Sequence, residues 1–336
     1  MSTPRVYVIH ENPEWFPPLA AAFEAEGVPV QEILLTEGQV DLASEPEPGV
    51  YWSRMSASSH TRGHEHAKEY TRALLGHLER AGRQVVGGSH VLELEVSKVA
   101  QHGLLQRAGF DVPRTTAVFG TAPLKDAART FTDGQDVPFI TKHNQGGKGL
   151  GVRRFDSLAE FDAYVDSPEF EEPVDGITLL QEYLTAREPF ITRVEFVGGE
   201  FVYAVRVDTS AGSFELCPAD ACAVPSGENS PQVIAGAVCE VPGTGQQSAF
   251  SVRTEVTAQH PLVQQLRTFL ADQRIQIAGV EFMETTDGRT VVYDINTNTN
   301  YNPAVEETAP ASGPRSIARY LGGLLDAEYA TAPARA

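Results

Sequence analysis

The stretch Ala278–Asn296, AGVEFMETTDGRTVVYDIN, reads as two strands joined by a tight turn. Asp287-Gly288 between β-branched and aromatic runs is a two-residue type I′ signal, since both central positions of that turn need positive φ. Pairing Thr286 with Arg289 sets Glu281 directly opposite Asp294, and strand alternation puts Asn296 on the same face. Like charges so opposed destabilise a sheet, so the arrangement makes physical sense with a cation between them. Oxygen donors without His or Cys indicate Mg²⁺ or Mn²⁺, which keep waters and bridge to substrate phosphates. The bland alternative is a solvated face of an edge hairpin, and a one-residue slip would disperse the cluster.

Upstream, FITKHNQGGKGLGVRRF (139–155) sets Gly146, Gly147, Gly149 and Gly151 around Lys148, with Lys142 at the end of the incoming strand. Glycines allow close backbone approach, so successive N–H groups can face phosphate oxygens while lysines neutralise charge. Gly149 follows Lys148 where a P-loop has Ser or Thr, and a strand follows where a P-loop has a helix. A flexible hairpin tip is the competing reading. Separated cations, Lys98, Lys142, Lys148, Arg193 and Arg206, stand at strand ends or one turn into a helix, suited to a polyphosphate if they share a face.

The rest of the chain supplies the frame. The first ninety-odd residues alternate strand-like and helix-like segments and predict a small open parallel sheet covered by helices. No G-x-G-x-x-G marks that sheet as a dinucleotide site. From Ser97 the pattern gives a helix over 98–107, two strands flanking the glycine loop, a helix in DSLAEFDAYV and the buried strand ITLLQEYL. Beyond Glu182 strands dominate, interrupted by a polar excursion over 225–247. The expected units are 1–96, 97–181 and 182–330.

The chain has 336 residues, 41% apolar, with 26 basic against 45 acidic side chains and a net charge of −19. Such a field repels nucleic-acid backbones and anionic membrane surfaces, so neither is an expected partner. Without a signal-like amino terminus or a membrane-length apolar run, a cytoplasmic location is expected. Cys217, Cys222 and Cys239 form no C-x-x-C pair and read as ordinary small apolar residues. In SRMSASSHTRGHEH (53–66), Arg54, Ser58, His60 and Arg62 follow a strand end, where open α/β sheets place ligands. A hydroxyl-rich turn capping the next helix explains them equally well. The spacing of His60, His64 and His66 is irregular for zinc. Asn298, Asn300 and Asn302 alternate beyond the metal cluster and can read a polar substrate, with an exposed loop as the bland alternative.

The order of these segments resembles the ATP-grasp superfamily, in particular ligases similar to the ribosomal-protein glutamate ligase and glutathione synthetase. The resemblance spans nearly the whole chain and implies an α/β ATP-grasp fold: an N-terminal Rossmann-like parallel-sheet domain and two α+β subdomains sandwiching the nucleotide. SKVAQHGLLQRAGFDVPRT implies that Lys98 contacts nucleotide phosphates, and FITKHNQGGKGLGV implies the same of Lys142 and Lys148 under a covering loop. LLQEYL resembles the adenine hinge, with Gln181, Glu182, Tyr183 and Leu184. ITRVEFVGGEFVYAVRV implies that Arg193 and Arg206 hold the γ-phosphate and an acyl phosphate, while Glu281, Asp294 and Asn296 match the metal triad. Ile191 stands where an acidic residue often precedes the arginine, leaving Glu188 as the candidate at the ribose. Ser97 replaces a frequent Asp, and TNTNYNP replaces a Pro-Gly loop. The implied activity is an ADP-forming carboxylate–amine ligase using ATP and two Mg²⁺ (or Mn²⁺) ions. It would act on an amino acid or small peptide, with a peptide or protein acceptor still open, and the resemblance suggests a homodimer. A small-molecule kinase and a non-catalytic nucleotide-binding regulator are the competing classes; the full lysine and metal set argues against the regulator.

Overall fold

The structure is a computed structural model that describes residues 3–147, 149, 151–210 and 249–329. Lys148, the three cysteines and the 225–247 excursion lie outside the described residues.

Strands β1 (Arg5–His10), β2 (Val30–Leu34), β3 (Gly49–Ser53) and β4 (Gln84–Val86) form an all-parallel sheet in the order β2-β1-β3-β4. Helices α1 (Pro17–Ala25) and α2 (Ala67–Arg80) connect its strands. Both faces of β1 are buried: Val6 and Val8 pack with Trp52 and α1 on one side, Tyr7 and Ile9 with α2 on the other. Continuous apolar runs in place of alternation are what a parallel sheet covered on both faces requires. The last helix, α9 (Gly313–Tyr329), returns to this sheet and buries Ile317, Leu321 and Leu325 against Val6, Val8 and Trp52.

After α3 (Ser89–Glu95) and α4 (Lys98–Arg107) comes an antiparallel sheet of β5 (Thr115–Phe119), β6 (Phe139–His143), β7 (Arg153–Phe155) and β8 (Ile177–Glu182), in the order β5-β8-β6-β7. Helices α5 (Leu124–Phe131) and α6 (Leu158–Val165) cover one face. There Phe161 meets Phe139 and Phe155 edge-on, with centroids 5.3 and 5.1 Å apart. Ser157 caps α6 by accepting from Glu160 N, as its capping box predicts.

The third sheet runs β11-β10-β9-β12-β13, all antiparallel, from β9 (Phe190–Val197), β10 (Glu200–Asp208), β11 (Phe250–Val252), β12 (Ile277–Glu284) and β13 (Thr290–Asn296). One face of β9 and β12 packs Val194, Phe196, Val280 and Phe282 onto α7 (Pro261–Asp272) and α4. Among the described residues no helix is long and apolar enough to cross a membrane.

The β12–β13 hairpin departs from the expected turn. Thr285 N donates to Arg289 O at 2.9 Å, and only Gly288 in the connection has positive φ, so three residues, 286–288, make the turn. Thr285 explains this: its hydroxyl donates to Asp287 and accepts from Arg289 N at 3.1 Å, closing the longer loop. The register beyond the turn pairs Phe282 with Val292, and a bulge between Glu281 and Phe282 then restores Glu281 opposite Asp294. A bulge turns two successive side chains to one side. Tyr293 and Asp294 therefore both face away from the core that takes Val292 and Ile295.

Candidate active site

A cavity of about 350 Å³ lies where the two antiparallel sheets meet the loops of the parallel one. The sequence holds each charged side chain there through local bonds. Ser97 caps α4 by accepting from Ala100 N, while Asn144 accepts from Lys98 N at 3.2 Å and, through Oδ1, from Val99 N at 2.9 Å. The glycine loop and the α4 amino terminus are thereby tied, setting Lys98 near Lys142. Gln101 then pairs with the outer edge of β13: its Nε2 donates to Ile295 O at 2.8 Å and its Oε1 accepts from Ile295 N at 3.1 Å. That docking brings Lys98 Nζ into an ion pair with Asp294.

Glu281, Asp294 and Asn296 converge, with Asn296 Nδ2 donating to Glu281 Oε1 at 3.3 Å. Burial and the neighbouring Asp294 raise the Glu281 carboxyl above its usual range. Burial also pushes Asp294 up, but the Lys98 and Lys142 ammoniums outweigh it and hold that carboxyl low. Burial lowers the Lys142 ammonium, with Asp294 opposing. Arg193, 6% exposed, donates from Nε to Glu195 Oε1 at 2.6 Å and from Nη1 to Glu281 Oε1 at 3.4 Å. Burial alone would lower the Arg193 guanidinium; Glu195 and Glu281 reverse that and keep it charged. Two opposed carboxylates and an amide oxygen are a hard donor set that fits Mg²⁺ and leaves coordination positions for water and phosphate. Among the described residues no three His, Cys, Asp or Glu side chains gather as a metal site, so the histidines of 60–66 do not form one.

No family model matches the sequence, and no curated protein matches it. Solved structures do. A RimK-domain ATP-grasp protein from Sphaerobacter thermophilus superposes with a TM-score of 0.62 at 17% identity, covering 94% of this chain and 98% of that one. The ATP-grasp ligase PsnB, held with a minimal precursor, Mg and ADP, gives 0.61 at 14% identity over 96% of this chain and 98% of that one. D-alanyl-alanine synthetase A from Vibrio cholerae gives 0.63 at 11% identity, covering 97% and 99%. The chain has the ATP-grasp fold.

Within that ATP-grasp fold, Lys98, Lys142, Gly146, Gly147, Gly149, Gln181, Glu182, Tyr183, Leu184, Arg193, Glu281, Asp294, Asn296, Ser58, Asn298 and Asn300 all line the one cavity. The Glu182 carboxylate is already engaged, accepting from Arg114 N at 2.8 Å and from Arg289 at 3.1 and 3.3 Å. This bond ties the β8 end to the β12–β13 turn. Tyr183 is stacked under Arg154.

Arg206 is not in the cavity. The Gly198-Gly199 turn starts β10 in a register that would put Arg206 opposite Ile191, on the face of Arg193. A bulge at Val202 shifts the ladder by one, so Arg206 pairs with Thr192 and Val205 sits beside Arg193. A one-residue slip flips every following side chain; Arg206 instead stacks on Phe190, 4.0 Å from the ring centroid. Glu188 is exposed and also outside the lining. Arg54, His60 and Arg62 are likewise outside the lining. Arg54, 2% exposed, donates to Thr299 O at 2.8 Å and Asn300 Oδ1 at 3.0 Å, bracing the asparagine loop. Burial lowers its guanidinium to about 10. Arg62 pairs with the buried Glu11 at 2.5 Å and donates to Ser58 Oγ at 3.1 Å.

Several lining residues carried no usable sequence signal. Tyr293 faces the site only because of the β13 bulge, which leaves its ring 5.8 Å from Lys142 Nζ. Ile140, Ile191 and Met283 supply an apolar stretch of wall. Glu195 was findable: it follows Arg193 by two in ITRVEFV and so shares its face.

Proposed function

We propose that this protein is an ATP-dependent, ADP-forming carboxylate–amine ligase working through an acyl phosphate, with an amino acid or small peptide as substrate. The observation that carries the reading is the gathering of Glu281, Asp294 and Asn296 opposite Lys98, Lys142 and Arg193 in a single cavity. A bare nucleotide-binding site has no need of an opposed carboxylate pair. The ATP-grasp ligase PsnB, also solved with a precursor peptide, and the D-alanyl-alanine synthetase share the fold and support this reading. PsnB was held with Mg and ADP, in keeping with a nucleotide–metal site here.

In this reading Ile140, Ile191 and Met283 bed the adenine, with the backbone of Tyr183 and Leu184 at its polar edge. Lys98 and Lys142 neutralise the phosphates, and the backbone of Gly146, Gly147 and Gly149 approaches them closely. Glu281, Asp294 and Asn296 would hold two Mg²⁺ ions, which when bound neutralise charge across the β- and γ-phosphates. A substrate carboxylate oxygen attacks the γ-phosphorus and ADP leaves; the amine nitrogen then attacks the acyl carbon, loses a proton and expels phosphate. Arg193, fixed by Glu195, stays charged against the transferred phosphoryl oxygens throughout. The glycine loop keeps water from the acyl phosphate.

The test is incubation with ATP, Mg²⁺ and amino acids singly and in pairs, reading ADP, phosphate and product mass. Phosphate release that needs a particular pair, with a product one water lighter than its parts, supports the ligase. ADP with a phosphorylated, amine-independent product would make it a kinase.

A further inference from the structure

A second cavity of about 10 Å³ adjoins the first and shares Arg193 and Asn300 with it; Glu195, Tyr203, Tyr301 and Asn302 form its polar walls. Glu195 is 2% exposed. Its Oε1 accepts from Arg193, and its Oε2 has no hydrogen-bond partner among the described residues. A buried carboxylate oxygen without a donor is unfavourable, so Oε2 suits a ligand that donates.

The walls are fixed independently of that oxygen. Tyr203 donates to Glu306, whose Oε1 also accepts from Gly313 N at 3.1 Å. The Tyr301 ring packs where a Cβ on Gly313 would come within 2.2 Å, so only glycine there admits it. Asn302 caps α8 (Pro303–Thr308), accepting from Ala304 N at 3.0 Å. The tyrosine rings stand edge to face, centroids 6.4 Å apart.

A space this size takes one water or one –NH₃⁺ head and excludes a guanidinium or trimethylammonium. A carboxylate flanked by aromatic rings favours a cation. We propose that Glu195, walled by Tyr203 and Tyr301, holds a non-reacting primary ammonium of the acid substrate, so that the acid activated here is an amino acid with its amino group free. The bound group is not the attacking amine, because a site that stabilises the charged form withholds the lone pair needed for attack. This assignment rests on the ligase reading.

Hydroxylamine separates the two claims, since it is uncharged near neutral pH and traps an acyl phosphate as a hydroxamate whatever the natural amine. The full-length protein is incubated with ATP, Mg²⁺, hydroxylamine and each standard amino acid beside its deamino counterpart, such as glutamate beside glutarate. The expected result is a kcat/KM at least about 100-fold higher for an amino acid than for its deamino partner. Glu195→Gln, which keeps an oxygen for Arg193 Nε, should shrink that ratio at least about 10-fold through the amino acid's KM. Equal use of both acids overturns the proposal, leaving the cavity to a water, as does a Glu195→Gln defect of the same size for both. Hydroxamate from deamino acids alone overturns the subsite and leaves the ligase standing; none from any acid overturns both. The wild-type comparison decides the matter even if the variant fails to fold.

Discussion

Gly279 lies directly against the Arg193 guanidinium: a Cβ at Gly279 would sit 2.5 Å from Nε and 2.6 Å from Nη2. The two residues are on neighbouring strands, with Gly279 paired to Glu195. The missing side chain makes room for the buried Arg193–Glu195 pair. Gly279→Ala should displace the guanidinium and lower kcat about 100-fold, the usual scale for a misplacement of an ångström, with ATP affinity changed far less. Steady-state kinetics with ATP and acid varied separately checks this.

Lys98 and Asp294 form an ion pair whose side chains are 6% and 16% exposed. Asp294→Asn removes the charge of a proposed metal ligand and leaves Lys98 with a weaker acceptor. The fold should persist with a loss of about 1–3 kcal/mol, while turnover falls below detection. Calorimetric titration of Mn²⁺ with a non-hydrolysable ATP analogue should show the site weakened; near-normal activity would remove the metal assignment.

Arg193 and Arg206 look alike in sequence and stand on opposite faces of the sheet. Arg193→Ala should cost at least about 10³-fold in kcat, whereas Arg206→Ala should stay within about 3-fold, its loss being a stacking contact on Phe190 worth about 1 kcal/mol. A parallel loss in both variants would contradict this placement.

These two arginines mark how far the sequence reaches. Period-two alternation was legible in both strands, but its phase in β10 depends on the bulge at Val202, which no residue pattern announces. In β12–β13 two departures cancel: the turn is one residue longer than Asp287-Gly288 suggests, and the bulge at Tyr293 restores the register at the carboxylates. The carboxylate pair was therefore readable although the length of its turn was not. The parallel sheet was readable because strand-like and helix-like segments alternate through the first ninety-odd residues. The closing of that sheet by α9 was not, since contacts over such separations leave no local periodicity.

His102, 7% exposed, approaches Tyr293 O at 3.2 Å, and burial lowers its imidazole from 6.5 to about 4. The folded state thus binds this proton less readily than the unfolded chain. Its stabilising contribution is complete above pH 6.5 and is lost as pH falls from 6.5 toward 4, by about 3 kcal/mol. Urea midpoints at pH 7 and pH 4.5 should differ less for His102→Gln than for the wild type; equal differences would show that the histidine titrates normally.

The central claim is that a substrate carboxylate captures the γ-phosphoryl group in the Glu281, Asp294 and Arg193 cavity. The most direct measurement uses an acid labelled with ¹⁸O in its carboxylate, turned over with ATP, Mg²⁺ and the amine, followed by mass analysis of the released phosphate. The account predicts that each phosphate carries one ¹⁸O from the acid. Unlabelled phosphate formed alongside the amide would contradict it.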